Sequence, residues 1–162
     1  ERYRFSSMVS ALQIRLREVL REQESGIYSL SFNGNVEYHP RPVYRITLGF
    51  NTEPERDEEL MQKAIAAIED FCKNGPDELL LQKIKTTQRE NRQKSEQENS
   101  FWLAQLHQRY KEGIALDGLK TEKYLELVEG LSANAIQAAA QRYFDDKNRI
   151  KLVLKPQGAI KK

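Results

Sequence analysis

The 162 residues are 39% apolar and 31% charged, with eight glycines and five prolines, a composition that fits one soluble globular domain with a core of ordinary size and little disorder. Twenty-six basic and 24 acidic residues are mixed throughout, so the net charge of +2 sets up no field of one sign to recruit nucleic acid or an anionic membrane. No apolar run approaches the roughly 18 residues of a membrane span, no signal peptide is present, and the lone Cys72 excludes an internal disulfide or a thiolate zinc cluster.

From about Tyr3 to Leu20, Val9, Leu12, Leu16 and Val19 step by three and four, the spacing of one helix face. That helix should stop near Ser25-Gly26, where glycine tolerates a left-handed helix end. Tyr28, Leu30 and Phe32 then alternate with Ser29, Ser31 and Asn33, the period of a half-buried strand. Pro40 and Pro42 interrupt any ladder, after which Tyr44, Ile46, Leu48 and Phe50 alternate with Arg45, Thr47 and Gly49. Two such strands predict an antiparallel pair with helices on one face only.

Asn51 or Thr52 is the expected cap of the next helix, with Pro54 in its first turn and Leu60, Ala64, Ala67, Ile68 and Phe71 as its core stripe. Cys72 falls on that apolar side and reads as a small buried hydrophobe. Asn74-Gly75-Pro76 ends the helix, and another starts near Asp77 with Leu80, Ile84 and Thr87 inward. Past Gln88 the chain is almost wholly polar, so that stretch is expected to be solvated. Phe101, Trp102, Leu106 and Tyr110 recur at helical spacing and should be packed, ending near Gly113. A further helical stretch follows over 121–128. Ser132 should cap a short helix with Ile136, Ala139, Ala140 and Tyr143 inward. The close, Arg149 to Pro156, reads as a strand, followed by a basic tail ending in Lys161-Lys162. Early strands, central helices and a last strand define an α+β fold, an antiparallel sheet with helices packed on one face.

No self-sufficient catalytic centre emerges from these residues. His39 and His107 are far apart, with no His-x-x-Glu-His or His-x-x-x-His spacing to place metal ligands on one helix face. There is no nucleophile elbow, phosphate-binding glycine loop or dinucleotide fingerprint. Lys85, Arg89, Arg92 and Lys94 are interspersed with Glu90, Glu96 and Glu98, which argues against a phosphate-tracking surface. Arg21 and Tyr28 differ from the rest. They straddle Ser25-Gly26 and bring a guanidinium and a phenol, both donors to a carbonyl or oxyanion, near one strand mouth. Periodicity alone also allows a structural role, with Arg21 on its own helix end and Tyr28 on the apolar face of Leu30 and Phe32.

Arg-Glu-Gln-Glu-Ser-Gly-Ile-Tyr, residues 21 to 28, follows an amphipathic helix and enters a strand, and it resembles a segment of the pitrilysin or insulinase-type zinc metallopeptidases, in their C-terminal, non-zinc domain. The helix pair from Pro54 to Gln97, the aromatic helix from Phe101 to Tyr110, the Leu131 to Ile136 segment and the closing Ile150 to Pro156 run fall in that family's order. The resemblance implies that residues 1 to 162 form a single domain of a larger chain, with its first strand truncated; the start on Glu1 rather than Met agrees. It further implies a domain that binds peptide substrate and completes the active site of a zinc-dependent metalloendopeptidase working in an enclosed chamber. Arg21 and Tyr28 would hold the substrate backbone and the tetrahedral intermediate. Zinc would belong to a partner domain of the same chain or to a partner subunit, none being bound by this fragment, which should hydrolyse nothing alone. Two departures stand out: Ile27 where the family often has a small residue, and the missing first strand. The alternative is a catalytically silent subunit or scaffold of the same fold. Peptide is the expected partner, with neither nucleic acid nor membrane, and a bacterial periplasm, envelope or cytoplasm is the expected location.

Overall fold

A computed structural model describes residues 1–22, 27–144 and 148–156, with the backbone alone for Arg21, Glu22 and Tyr28. The expected helix end at Ser25-Gly26 and the basic tail lie outside the described residues. The chain divides into two compact units, Glu1–Pro76 with Asn134–Lys162, and Asp77–Ala133.

In the first unit, α1 (Arg2–Arg17) runs directly into a π-helical turn, Glu18–Glu22. Phe5, Met8, Leu12 and Leu16 are buried along it, and Leu20 carries the same face through the turn. Two strands follow, β1 (Ile27–Glu37) and β2 (Val43–Thr52), paired antiparallel from Ile27–Thr52 to Glu37–Val43. Leu30 faces Phe50 and Phe32 faces Leu48 across the pair, which puts the apolar side chains on one face, as the alternation requires.

Gly34 in β1 lets α1 lie against this face. A Cβ there would sit 2.5 Å from Val9 Cγ2 and 2.9 Å from Phe5 Cζ. Gly34→Ala should therefore lower unfolding stability by about 1–3 kcal/mol in chemical denaturation, the usual cost of overpacking. A variant as stable as the parent would show that α1 can lift off the strand freely.

Helix α2 (Asp57–Asn74) buries Leu60, Ala64, Ala67 and Phe71 and ends at Gly75, whose φ of +72° needs glycine. Its start differs from expectation. Asn51 and Thr52 belong to β2, Pro54 precedes the first turn, and Arg56 takes the cap position without a side-chain capping hydrogen bond. Asp57, Glu58 and Glu59 supply the negative charge that the helix start favours. Cys72 is half-buried rather than buried, and its carbonyl accepts from the Gln141 amide at 3.0 Å. Helix α6 (Ala133–Tyr143) buries Ile136, Ala139 and Ala140, and the Tyr143 ring meets those of Phe5 and Tyr44 edge-on at 4.7 and 5.0 Å.

The closing strand is not formed. Residues 149–156 carry no regular secondary structure, and Ile150, Leu152 and Leu154 are 92%, 78% and 88% exposed. The segment is held by its lysines instead: Lys151 pairs with Glu58, and Lys155 with Asp57 at 3.1 Å. Apolar alternation makes a strand only when another strand completes its ladder, and among the described residues the sheet consists of β1 and β2 alone, with neither paired to residues 149–156.

In the second unit, Asp77 caps α3 (Glu78–Ser95) by accepting from the Leu80 amide at 2.7 Å. Helix α4 (Asn99–Glu112) follows, then a 3₁₀ turn, Leu116–Leu119, and α5 (Thr121–Glu129). Two expectations fail here. Helix α4 has no buried residue, and Tyr110 is 74% exposed. The polar end of α3 is not uniformly solvated, because Arg92 is buried at 9% exposure.

Candidate functional site

Arg21 and Tyr28 both fall on backbone irregularities. Arg21 lies in the π-helical turn, a rare geometry that shifts side chains off the regular helix face and recurs at functional sites. Tyr28 lies at a β-bulge: Ile27 pairs with Thr52 and Ser29 with Asn51, leaving Tyr28 as the extra residue. The consequence is visible in its neighbours. Ile27 and Phe32 are buried and Ser29 is exposed, so the strict alternation that would align Tyr28 with Leu30 and Phe32 is interrupted at Tyr28. Their side chains lie outside the described residues, so the backbone alone defines this corner.

The opposite face of the hairpin is polar. Ser29, Ser31, Asn33 and Asn35 stand across from Asn51, Gly49, Thr47 and Arg45, and every side chain among them is exposed. Ser31 Oγ donates to the Gly49 carbonyl at 3.3 Å, and the Asn35 amide donates to Glu37 Oε1 at 2.9 Å. Asn33, Asn35, Arg45 and Thr47 line a groove with Glu37 and Val43 at its end. The sequence did not single out this face, although the alternating short polar residues of β1 mark it as exposed.

The remaining candidates have other occupations. His39 and His107 are exposed, one in each unit. Among the described residues no three His, Cys, Asp or Glu side chains gather as a metal would require. Lys85 donates to the Glu129 carbonyl at 2.9 Å, and Arg89 pairs with the Glu129 carboxylate. Arg92 fills an aromatic cage, 4.9, 5.9 and 5.1 Å from the Phe101, Trp102 and Tyr124 rings. It donates to Glu96 Oε1 and to the Leu119 carbonyl, each at 2.5 Å. The Thr121 hydroxyl also donates to Glu96, and with Arg92 it holds that carboxyl below the ordinary glutamate range. These contacts close the second unit.

A helix passing through an irregular turn into an antiparallel pair, followed by α2, α3, α4 and α5 in series, is the fold of the pitrilysin/insulinase-type (M16) peptidase domains. The comparisons with known proteins support the resemblance to a C-terminal domain of that family. Its sequence is 39% identical over 85 residues to the probable zinc protease PqqL of Haemophilus influenzae, a match covering 51% of this chain and 9% of that protein. In structure it is similar to the periplasmic protease PqqL of Escherichia coli, with a TM-score of 0.68 and 22% identity over 88% of this chain and 15% of that one. It is also similar to a peptidase M16 inactive domain from Pseudomonas fluorescens, with a TM-score of 0.70 and 19% identity over 86% of this chain and 34% of that one. The chain thus spans well under half the length of each of these relatives. No family model matches it.

Proposed function

We propose that residues 1 to 162 act as one substrate-binding domain that completes the active site of a zinc metalloendopeptidase, the zinc belonging to another domain of the same longer chain. The observation that supports this best is the coincidence of Arg21 with the π-helical turn and of Tyr28 with the β-bulge. Each irregularity costs regular backbone hydrogen bonding and re-aims a side chain. Two of them flanking one helix-to-strand connection supply two donors for a peptide carbonyl, and for the oxyanion it becomes when water attacks.

The chain's own part in the reaction is to bind and orient. Arg21 would donate charge-assisted hydrogen bonds to the substrate, and the Tyr28 hydroxyl would donate one as negative charge develops on the carbonyl oxygen. Water activation and the general base belong to the zinc-bearing domain. A peptide passing through an enclosed chamber, and an envelope or periplasmic location, complete the reading. No helix among the described residues is long and apolar enough to cross a membrane.

The test is peptidase activity of the full-length protein on a mixture of unstructured peptides. Zinc-dependent cleavage that is lost with a chelator and restored by zinc supports the proposal. No cleavage under any metal condition, with the fold intact by circular dichroism, would instead identify a silent scaffold of the same fold.

A further inference from the structure

The polar face of the β1–β2 hairpin has an asymmetry that folding alone does not require. Along most of its length the exposed side chains are short and uncharged: Ser29, Ser31, Asn33, Asn35, Thr47 and Asn51. Hydroxyls and amides of this kind serve peptide backbone as donors and acceptors without favouring one side-chain charge. Arg45 breaks the pattern. Its guanidinium is exposed in the groove beside Asn33, Asn35 and Thr47, and it makes no ion pair among the described residues. The carboxylate nearest along this face, Glu37 in the same groove, accepts from the Asn35 amide at 2.9 Å and makes no ion pair with Arg45. A planar donor fork beside neutral hydrogen-bonding groups suits an incoming carboxylate.

We infer that Arg45 is a specificity-determining residue that receives a carboxylate of an extended peptide lying along the polar face of β1. This rests on the peptide-binding role proposed above. Asn35, directly opposite Arg45, lies seven residues beyond Tyr28 in β1 (35 minus 28). At about 3.3 Å per extended residue that separation is roughly 23 Å. A peptide held at the Tyr28 end in extended form therefore brings a residue about six to eight positions from the scissile bond to Arg45. The carboxylate can come from an Asp or Glu side chain or from the peptide's own C-terminus.

The experiment uses the full-length, zinc-loaded protein and internally quenched peptides of about 16 residues, neutral and capped at both ends. In one series a single Glu is moved along the sequence; in a second, the C-terminal cap is replaced by a free carboxylate at the same distances. Expected is a rise in kcat/KM of about tenfold, the order of one charge-assisted hydrogen bond, when the carboxylate lies about six to eight residues from the cleaved bond. Arg45→Gln should remove that rise and leave the neutral capped peptide within about twofold of the parent. A rise in the first series identifies acidic side chains as the source, and a rise only in the second identifies the C-terminus. Equal cleavage of acidic and neutral peptides, or a preference that survives Arg45→Gln, overturns the inference while the peptidase role stands. Absence of cleavage of every peptide overturns both.

Discussion

In the full-length protein, Arg21→Gln or Tyr28→Phe should lower kcat/KM by about 2–4 kcal/mol of transition-state stabilisation with the fold unchanged. The split between constants separates the two donors. A guanidinium that already holds the peptide in the ground state raises KM when removed, whereas a phenol that bonds more strongly to the developing oxyanion lowers kcat. Steady-state kinetics beside circular dichroism spectra decide the matter. Parent-like constants for both variants would remove Arg21 and Tyr28 from the site, and a loss of helical signal in step with activity would make them structural.

The second large effect concerns stability. Arg92→Met should cost the second unit about 2–3 kcal/mol, because the change removes a buried charge-assisted donor and leaves the Leu119 carbonyl and the Glu96 carboxylate without it. The readout is urea denaturation followed by the fluorescence of Trp102, the chain's sole tryptophan, whose ring stands beside the Arg92 guanidinium. The same cluster predicts an acid limb. Bonds from Thr121 and Arg92 depress the Glu96 pKa in the folded state, so its contribution is present above the ordinary glutamate value, near 4.5, and is lost as pH falls through the lower folded value. Glu96→Gln should flatten the pH dependence of unfolding in that window. An unchanged acid limb would assign it to other carboxylates.

Local signals in the sequence were enough for the elements whose cause is local. Gly75 at φ +72° and Gly113 at φ +66° end their helices where the periodicity stops. Asp77 caps α3, and the apolar alternation of Phe32, Leu48 and Phe50 gives an antiparallel pair with the anticipated faces. Arg21 and Tyr28 could be singled out for their donors, and the family resemblance gave them a role. The irregular backbone beneath them could not be read. A π-helical turn and a bulge are each one-residue departures in register, and Glu18–Glu22 and Ile27–Ser29 have no composition that distinguishes them from a regular helix end and a regular strand.

The misread segments share a different cause. Residues 150–154 alternate as a strand should, but a strand is defined by its neighbour. Helix α4 has aromatic residues at helical spacing yet buries none, and Arg92, within a polar run, is buried by Phe101, Trp102 and Tyr124, rings from beyond its own helix. By itself the sequence determined the α+β class and most helix limits, and it singled out Arg21 and Tyr28 as candidate donors, because these depend on residue type and spacing within a few turns. Tertiary structure decided that Arg21 and Tyr28 stand on irregular backbone, that Arg92 is enclosed, and that Arg45 stands without an ion pair among the described residues on a mostly uncharged polar face. Those features depend on which distant residues meet, which is set by packing and strand register rather than by any one stretch of chain.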